Sequence, residues 1–425
     1  LKGQLLSKTV NTKTSLEKPG TSINPILPFL TEEEVKYISD FKQCIAKVAT
    51  NEALFPYSER TDIPAFLMTK IASSFPGTIN HTVSYEDYPY LNQYLSLAVL
   101  LEGSKSDLSF FTFAYVHGKV CTGVINEVGS EEQKKKYLPD MFSLKKVGSF
   151  CLTEKNIGSE AHNIETTFEE CENGDFIING HKRWIGNATQ ADVLIVFARE
   201  KARSNSNIKE DLNPRICGFL VEPNNKDHNP DGKRVVIKKI ENKLALRMVQ
   251  NADIEFNNVR VSKEFHLPHM NSFMDIGVHL ISTRLDLAFI MIGVTIGAYE
   301  RALSYVNTRK QFDRKISSFQ LVQDKLVYVR AHIEAMFGLA KRVFDDAYEG
   351  KASQGKVGMA KAWCSHTARN CLMKMREILG GNGILYENNI MMALLDIEAL
   401  ITLEGTYEIN TLACGREITG HSAFY

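Results

Sequence analysis

The segment Cys151-Leu152-Thr153-Glu154-Lys155-Asn156-Ile157-Gly158-Ser159-Glu160-Ala161 stands where the texture of the chain changes. Ahead of it, apolar residues recur at helical spacing. Thr31-Glu32-Glu33-Glu34 reads as a helix N-cap followed by acids in the first turn, and Val35, Ile38 and Phe41 carry the period on. Residues 88–101 and 108–128 read as further helices. Behind the segment the pattern turns to short runs rich in β-branched and aromatic residues: Phe176-Ile177-Ile178, then 193–197, 218–221, 235–237 and 254–261. Asn173-Gly174, Asn179-Gly180 and Asn257-Asn258 read as turns between them, and 201–214 as a polar surface loop. From about residue 276 helices return. Val322, Leu326, Val329, Ile333, Met336, Phe337 and Ala340 form a stripe at i, i+3/i+4 and i+7 that reads as bundle core. The expected fold is α+β. An extended arm (1–30) leads into an N-terminal helical domain (31–149), a middle β-barrel or sandwich domain (150–275) and a C-terminal four-helix-type bundle (276–425).

Composition narrows the function. The 425 residues carry 50 basic and 50 acidic side chains and so no formal net charge, which argues against nucleic acid or an anionic membrane as the main partner. Eight cysteines are scattered without a CxxC pair, so neither a disulfide framework nor a metal site is expected. Residues 285–298 are the most apolar stretch. They are too short for a membrane span and include Asp286, and so read as a buried helix. Residues 1–16 hold Lys2, Lys8 and Lys13 and no acid, as the remnant of a transit peptide would. The C-terminal Ala423-Phe424-Tyr425 is not a peroxisomal signal.

Near the C-terminus, Leu403-Glu404-Gly405-Thr406 places one carboxylate in an apolar run with Ala399, Leu400 and Ile401. Such a carboxylate is desolvated, so its pKa rises and it can serve as a base toward a weak carbon acid. The glycine beside it lets a ligand approach the backbone.

These features, in this order, resemble the acyl-CoA dehydrogenase and acyl-CoA oxidase superfamily over roughly residues 31–420. The branch containing glutaryl-CoA dehydrogenase and the plant short-chain peroxisomal acyl-CoA oxidase is the most similar. The resemblance implies FAD as cofactor and Glu404 as catalytic base. It implies that Cys151, Leu152, Thr153, Gly158 and Ser159 line the flavin's pyrimidine edge, with Ser159 also reaching the acyl-CoA. Lys155 and Glu160 depart from the proline and aspartate usual there. Trp184, Ile185 and Gly186 would flank the isoalloxazine. Most dehydrogenases carry a hydroxyl residue where Gly186 stands, so Gly186 hints at oxidase chemistry.

Arg309, Gln311 and Phe312, with Phe319 and Gln320, would reach the FAD of a neighbouring subunit, although Asp313 replaces a family glycine. Glu377, Gly380 and Gly381 would approach that same flavin, and Thr406 and Glu408 would touch FAD beside the base. Thr283, Arg284, Gly405 and Arg416 would contact substrate. Some relatives place the base at the position of Thr283, which cannot serve as one here. Phe111 occupies the position at which glutaryl-specific relatives hold an arginine, so a monocarboxylic short- or medium-chain acyl-CoA is expected. The expected acceptor is an electron-transfer flavoprotein and the expected form a homodimer or homotetramer in the mitochondrial matrix, with a peroxisomal location as the alternative. An acyl-CoA oxidase reducing O2, and a non-catalytic subunit of a larger mitochondrial assembly, are the alternative functions.

Overall fold

A computed structural model describes residues 23–74, 93–201 and 215–422. The expected loop at 201–214 and most of the arm at 1–30 fall outside the described residues, as do the start of the helix expected at 88–101 and the last residues of the chain.

The N-terminal helices are α1 (Glu32–Val48), α2 (Asn51–Arg60), α3 (Ala65–Ser74), α4 (Gln93–Ser106), α5 (Leu108–Val128) and α6 (Glu131–Phe142). Thr31 caps α1 in a full capping box with Glu34, as its sequence suggests. Asp107 caps α5 by accepting from the Phe110 N–H at 2.9 Å. The middle of α5, Val116–Cys121, is wound as a π-helix. Insertions of this kind gather at functional sites.

The middle region is one curled seven-stranded sheet: β1 (Gly148–Cys151), β2 (Thr167–Glu170), β3 (Phe176–Ile185), β4 (Val193–Glu200), β5 (Ile216–Val221), β6 (Val235–Lys239) and β7 (Ala252–Val261). Strand β4 takes β1 and β2 in parallel on one side and β5 antiparallel on the other. Asn173-Gly174 makes the expected turn between β2 and β3. The other two asparagine pairs do not: Asn179-Gly180 lies inside β3 and Asn257-Asn258 inside β7. They face each other across an irregularity in the β3–β7 ladder, where Asn179 Nδ2 donates to Asn258 Oδ1 at 3.0 Å and the Asn258 N–H to Asn179 Oδ1 at 2.8 Å. The side-chain amides supply bonds that the ladder loses at the bulge.

The C-terminal bundle is α7 (Gly277–Thr308), α8 (Gln320–Tyr348), α9 (Gln354–Ile378), α10 (Ile390–Thr402) and α11 (Tyr407–Thr419). A short hairpin of β8 (Lys310–Gln311) and β9 (Arg314–Lys315) links α7 to α8. Helix α7 is the axis of the molecule. Its stretch from 285 to 298 is buried at every position but Asp286, and its core is continuous with that of α4, α5 and α9. Segments Leu108–Val128 and Phe273–Thr308 are long and apolar enough to cross a membrane, but most of each is buried within the protein.

Candidate active site

Glu404 lies in the bend between α10 and α11. The helix ends at Thr402, where Leu403 turns extended (ψ 160°), and Glu404 (φ 55°) and Gly405 (φ 85°) then both turn left-handed. Glycine tolerates that conformation, whereas a glutamate is strained by roughly 1–2 kcal/mol. Cross-links from three helices hold the strain. Arg284 Nε donates to the Glu404 carbonyl at 3.0 Å. Asn410 Nδ2 donates to the carbonyls of Gly405 at 2.8 Å and Thr406 at 2.9 Å. Lys361 Nζ donates to those of Ile401 at 2.9 Å and Gly405 at 2.7 Å. Asn410 and Lys361 are fully buried. The Glu404 N–H makes no hydrogen bond among the described residues.

Burial raises the pKa of the Glu404 carboxyl, and that outweighs the opposite pull of Arg284, His279, the Thr283 hydroxyl and Lys361. Burial also lowers Lys361 to about 7, against the attraction of Glu404 and with the repulsion of Arg284. The Arg284 guanidinium is itself lowered by burial, opposed by Glu404.

A polar cluster lies along α7 and α5 near Glu404. Tyr115 Oη stands 3.1 Å from the Thr283 carbonyl and 3.2 Å from Asp286 Oδ2. Its pKa is raised first by burial, then by the charges of Asp286 and Glu404. Burial raises Asp286 too, with Lys119, Tyr115 and His279 opposing. His279 is fully buried, its Nδ1 3.1 Å from Glu127 Oε1 and its Nε2 3.0 Å from the Val120 carbonyl. None of Tyr115, His279, Lys361 or Asn410 was expected at the site from the sequence, and Asp286 was noted only as an acid in an apolar helix.

The segment 151–161 is fixed from below. Lys182 on β3 and Glu154 form a fully buried ion pair at 2.7 Å, and Lys182 also donates to the Leu152 carbonyl at 3.0 Å. Glu154 in turn accepts from the Glu165 N–H at 2.5 Å and the Thr166 N–H at 2.9 Å. Two residues further along β3 the ladder is irregular, and Trp184 (φ 63°) swings outward with 51% of its surface exposed. Its carbonyl accepts from Asn251 Nδ2 at 2.8 Å, and the Arg183 guanidinium lies over its ring. Gly186 adjoins α5: a Cβ there would meet Val249 at 3.3 Å and Val116 at 3.7 Å. Asn187 Nδ2 donates to the Phe113 carbonyl at 3.1 Å, tying this turn to the helix that carries Tyr115.

The remaining expected residues form a second group. Arg309, Gln311 and Phe312 lie on the β8–β9 hairpin, fully open to solvent, with Phe319 and Gln320 at the start of α8. The turn at Gly380-Gly381 is their neighbour. Asn382 Nδ2 reaches the Tyr305 hydroxyl at 2.9 Å, and Glu377 pairs with Lys325 at 2.7 Å. Arg309 is 25 residues beyond Arg284 on one helix, about 38 Å along its axis. This group therefore does not meet Glu404 of its own chain. Thr406 caps α11 by accepting from the Ile409 N–H, and Glu408 is exposed. Arg416, in the last turn of α11, stands about 15 Å up the axis from Thr406.

Family models for the acyl-CoA dehydrogenase N-terminal, middle and C-terminal domains match residues 77–145, 149–259 and 276–419. The chain belongs to the acyl-CoA dehydrogenase family. It is accordingly an FAD-dependent oxidoreductase of that type. The chain is 27% identical over 399 residues to a mitochondrial 2-methylacyl-CoA dehydrogenase of Solanum tuberosum, with 90% of each chain covered. It is 31% identical to a 3-(aryl)acrylate reductase of Clostridium sporogenes over 67% of this chain and 72% of the relative. It shares its fold with a glutaryl-CoA dehydrogenase from Mycobacterium smegmatis, solved in complex with FADH2, at a TM-score of 0.84 and 24% identity over 94% of this chain and 97% of that one.

The residues fit a flavin. A half-exposed indole offers a flat apolar face. The Thr153 hydroxyl has no hydrogen-bond partner among the described residues, and nothing crowds the backbone at Gly158, Gly380 or Gly381.

Proposed function

We propose that this enzyme dehydrogenates a short- or medium-chain acyl-CoA thioester between its α and β carbons, with Glu404 taking the α proton. The observation that carries the reading is the Glu404 bend. One carboxyl with a raised pKa sits in a strained, triply anchored turn, and the backbone N–H of the same residue has no partner among the described residues. That N–H can bond the thioester carbonyl and acidify the α carbon, as an oxyanion-hole donor does. The raised pKa suits a carboxylate to proton abstraction near neutral pH. FAD supplies the hydride acceptor when bound. Cys151, Leu152, Thr153, Gly158, Ser159, Trp184, Ile185 and Gly186 would hold its ring, with Thr406 and Glu408 nearby. Arg309, Gln311, Phe312, Phe319, Gln320, Glu377, Gly380 and Gly381 would hold the flavin of a second copy, because their distance from Glu404 suits them to no other. A homodimer or homotetramer follows.

Thr283 and Arg284 place substrate and base. Gly405 would let the thioester approach the backbone, and Arg416 would meet a more distant part of the ligand. Phe111 is buried against Gly103 in an apolar cavity with Phe41, Ile45, Met68 and Ile71, which leaves a distal carboxylate no partner. Decarboxylation of glutaryl-CoA is disfavoured on that ground. Electron-transfer flavoprotein is the proposed acceptor and the mitochondrial matrix the proposed location, in line with the mitochondrial relatives.

A second reading rests on Gly186. A side chain there would press on Val249, so no hydroxyl is offered from this position. Faster reaction of the reduced flavin with O2 would follow.

Anaerobic titration of the purified protein with butyryl-CoA and octanoyl-CoA tests both readings. Bleaching of the flavin by either thioester supports dehydrogenation, and admitting air then separates slow recovery of colour (dehydrogenase) from fast (oxidase). A flavin unchanged by both, or a colourless protein, counts against catalysis and for a structural subunit.

A further inference from the structure

The loop at 240–251, between β6 and β7, joins the three regions of the molecule. Its neck is closed by the Ile240 N–H, which donates to the Asn251 carbonyl at 2.8 Å. Toward the N-terminal helices, the Met248 N–H donates to Ser109 Oγ at 2.7 Å and Arg247 Nε to the Ser58 carbonyl at 2.8 Å. Toward the C-terminal bundle, the Leu246 N–H donates at 2.6 Å to Oδ1 of buried Asp396, which lies on α10 eight residues ahead of Glu404. Toward the sheet, Asn251 Nδ2 donates to the Trp184 carbonyl at 2.8 Å, and Val249 lies against Gly186. Closed loops of this size often carry function.

Lys243 organises the loop from within. Its Nζ donates to Asn251 Oδ1 at 2.7 Å and to the carbonyls of Leu246 and Val249 at 2.8 Å each, so every ammonium proton has a near acceptor in the loop itself. An ammonium offers donors alone. The Asn251 amide must therefore turn its oxygen to Lys243 and its NH2 to the Trp184 carbonyl. A charge thus fixes which way the amide points. Trp184 needs such a hold. It is a bulky residue in the left-handed region (φ 63°) at the irregular end of the β3–β7 ladder, with its indole half exposed.

We infer that Lys243 and Asn251 are positioning residues for the flavin: the ammonium orients the Asn251 amide, the amide holds the strained Trp184 backbone, and the indole is thereby presented to the isoalloxazine in one orientation. The inference rests on the reading of Trp184, Ile185 and Gly186 as the turn that flanks the ring. The part played by both residues is geometric, and no bond is made or broken through them.

The test uses the holoenzyme in a Trp363→Phe background, which leaves Trp184 as the only indole because the chain has two tryptophans. Asn251→Asp keeps the shape of the side chain and its partner Lys243, but sets an oxygen against the Trp184 carbonyl. The anisotropy of Trp184 emission should fall. Flavin reduction by saturating butyryl-CoA should slow by at least about tenfold while KM stays within about threefold, because misplacing one reactant costs rate without removing the thioester's own contacts. Lys243→Met should also slow it. Combined with Asn251→Ala it should be no slower than Asn251→Ala alone, because the two residues act in series. Unchanged anisotropy in Asn251→Asp, a rate within about twofold of the background enzyme, or additive losses in the double variant would overturn the inference. A background enzyme whose flavin is bleached by neither butyryl-CoA nor octanoyl-CoA would instead overturn the dehydrogenase reading. The anisotropy of Trp184 needs no turnover and would still decide the positioning.

Discussion

Two loops, the segment 151–161 and the Glu404 bend, are each held by a buried lysine, but the lysines are held differently. Beneath the flavin-edge segment, Lys182 has a carboxylate partner: the ion pair with Glu154 at 2.7 Å is wholly buried, and backbone N–H groups complete the coordination of Glu154. Burial lowers the Lys182 pKa. On Glu154 burial pushes the other way, but Lys182 and the hydrogen bonds prevail and hold it below the carboxylate range. The pair stays charged and rigid. Beneath the Glu404 bend, Lys361 has two carbonyls and no carboxylate within ion-pair distance among the described residues. It is lowered to about 7, and the charge it feels most favourably is that of Glu404. On the proposed function, a segment that supports a cofactor would be served by a permanent pair, and a bend that carries a base whose charge changes each turnover by a cation that responds to it.

The largest effect should come from the base. Glu404→Gln should slow flavin reduction by about 10³-fold, within the range of general-base contributions, with FAD binding retained. Stopped-flow absorbance measures it.

Next comes the contrast between the lysines. Lys182→Met strands Glu154 as a buried unpaired charge and should cost about 3–5 kcal/mol in denaturant unfolding, with loss of flavin. Lys361→Met leaves two carbonyls short of a donor and should cost about 1–3 kcal/mol. It should also raise the apparent pKa of the base, because a positive charge beside Glu404 is gone. Equal stability losses, or a kinetic pKa unmoved in Lys361→Met, would break the comparison.

Lys361 has its own pH signature. Its folded pKa lies below the unfolded value, so between about 7 and 10.5 the unfolded state binds more protons and this residue's contribution to stability rises with pH. Unfolding free energies compared between wild type and Lys361→Met across that window should converge in the acid and separate in the alkaline range.

The smallest effect lies far from both loops. Phe312 and Asp313 both turn left-handed at the tip of the β8–β9 hairpin (φ 52° and 62°). Asp313→Gly should be neutral to stabilising, by up to about 1 kcal/mol in the melting transition.

The sequence showed much of this and missed a particular part. Glu404 and Gly405 were legible because a lone acid in an apolar run breaks its local pattern, whereas Thr283 and Arg284 were named only through the family resemblance. The three-layer order was legible because the periodicity changes twice. The turn assigned to Asn257-Asn258 failed because an asparagine pair satisfies a bulge inside a ladder as well as a turn. Lys361 was missed although it stands among buried Val357, Ala360, Cys364 and Ala368, a position where a lysine needs a reason. Tyr115, Asp286 and His279 sit on helices about 160 residues apart in sequence, and only packing shows that they converge near Glu404.

The most direct test of the account is the single-turnover rate of flavin reduction by butyryl-CoA from pH 5 to 9, in the wild type and in Glu404→Gln. The account predicts a wild-type rate that climbs to a plateau through a midpoint above the ordinary carboxylate range, and a flat profile about 10³-fold lower in the variant. A variant within tenfold of the wild type, with the same pH dependence, would contradict it.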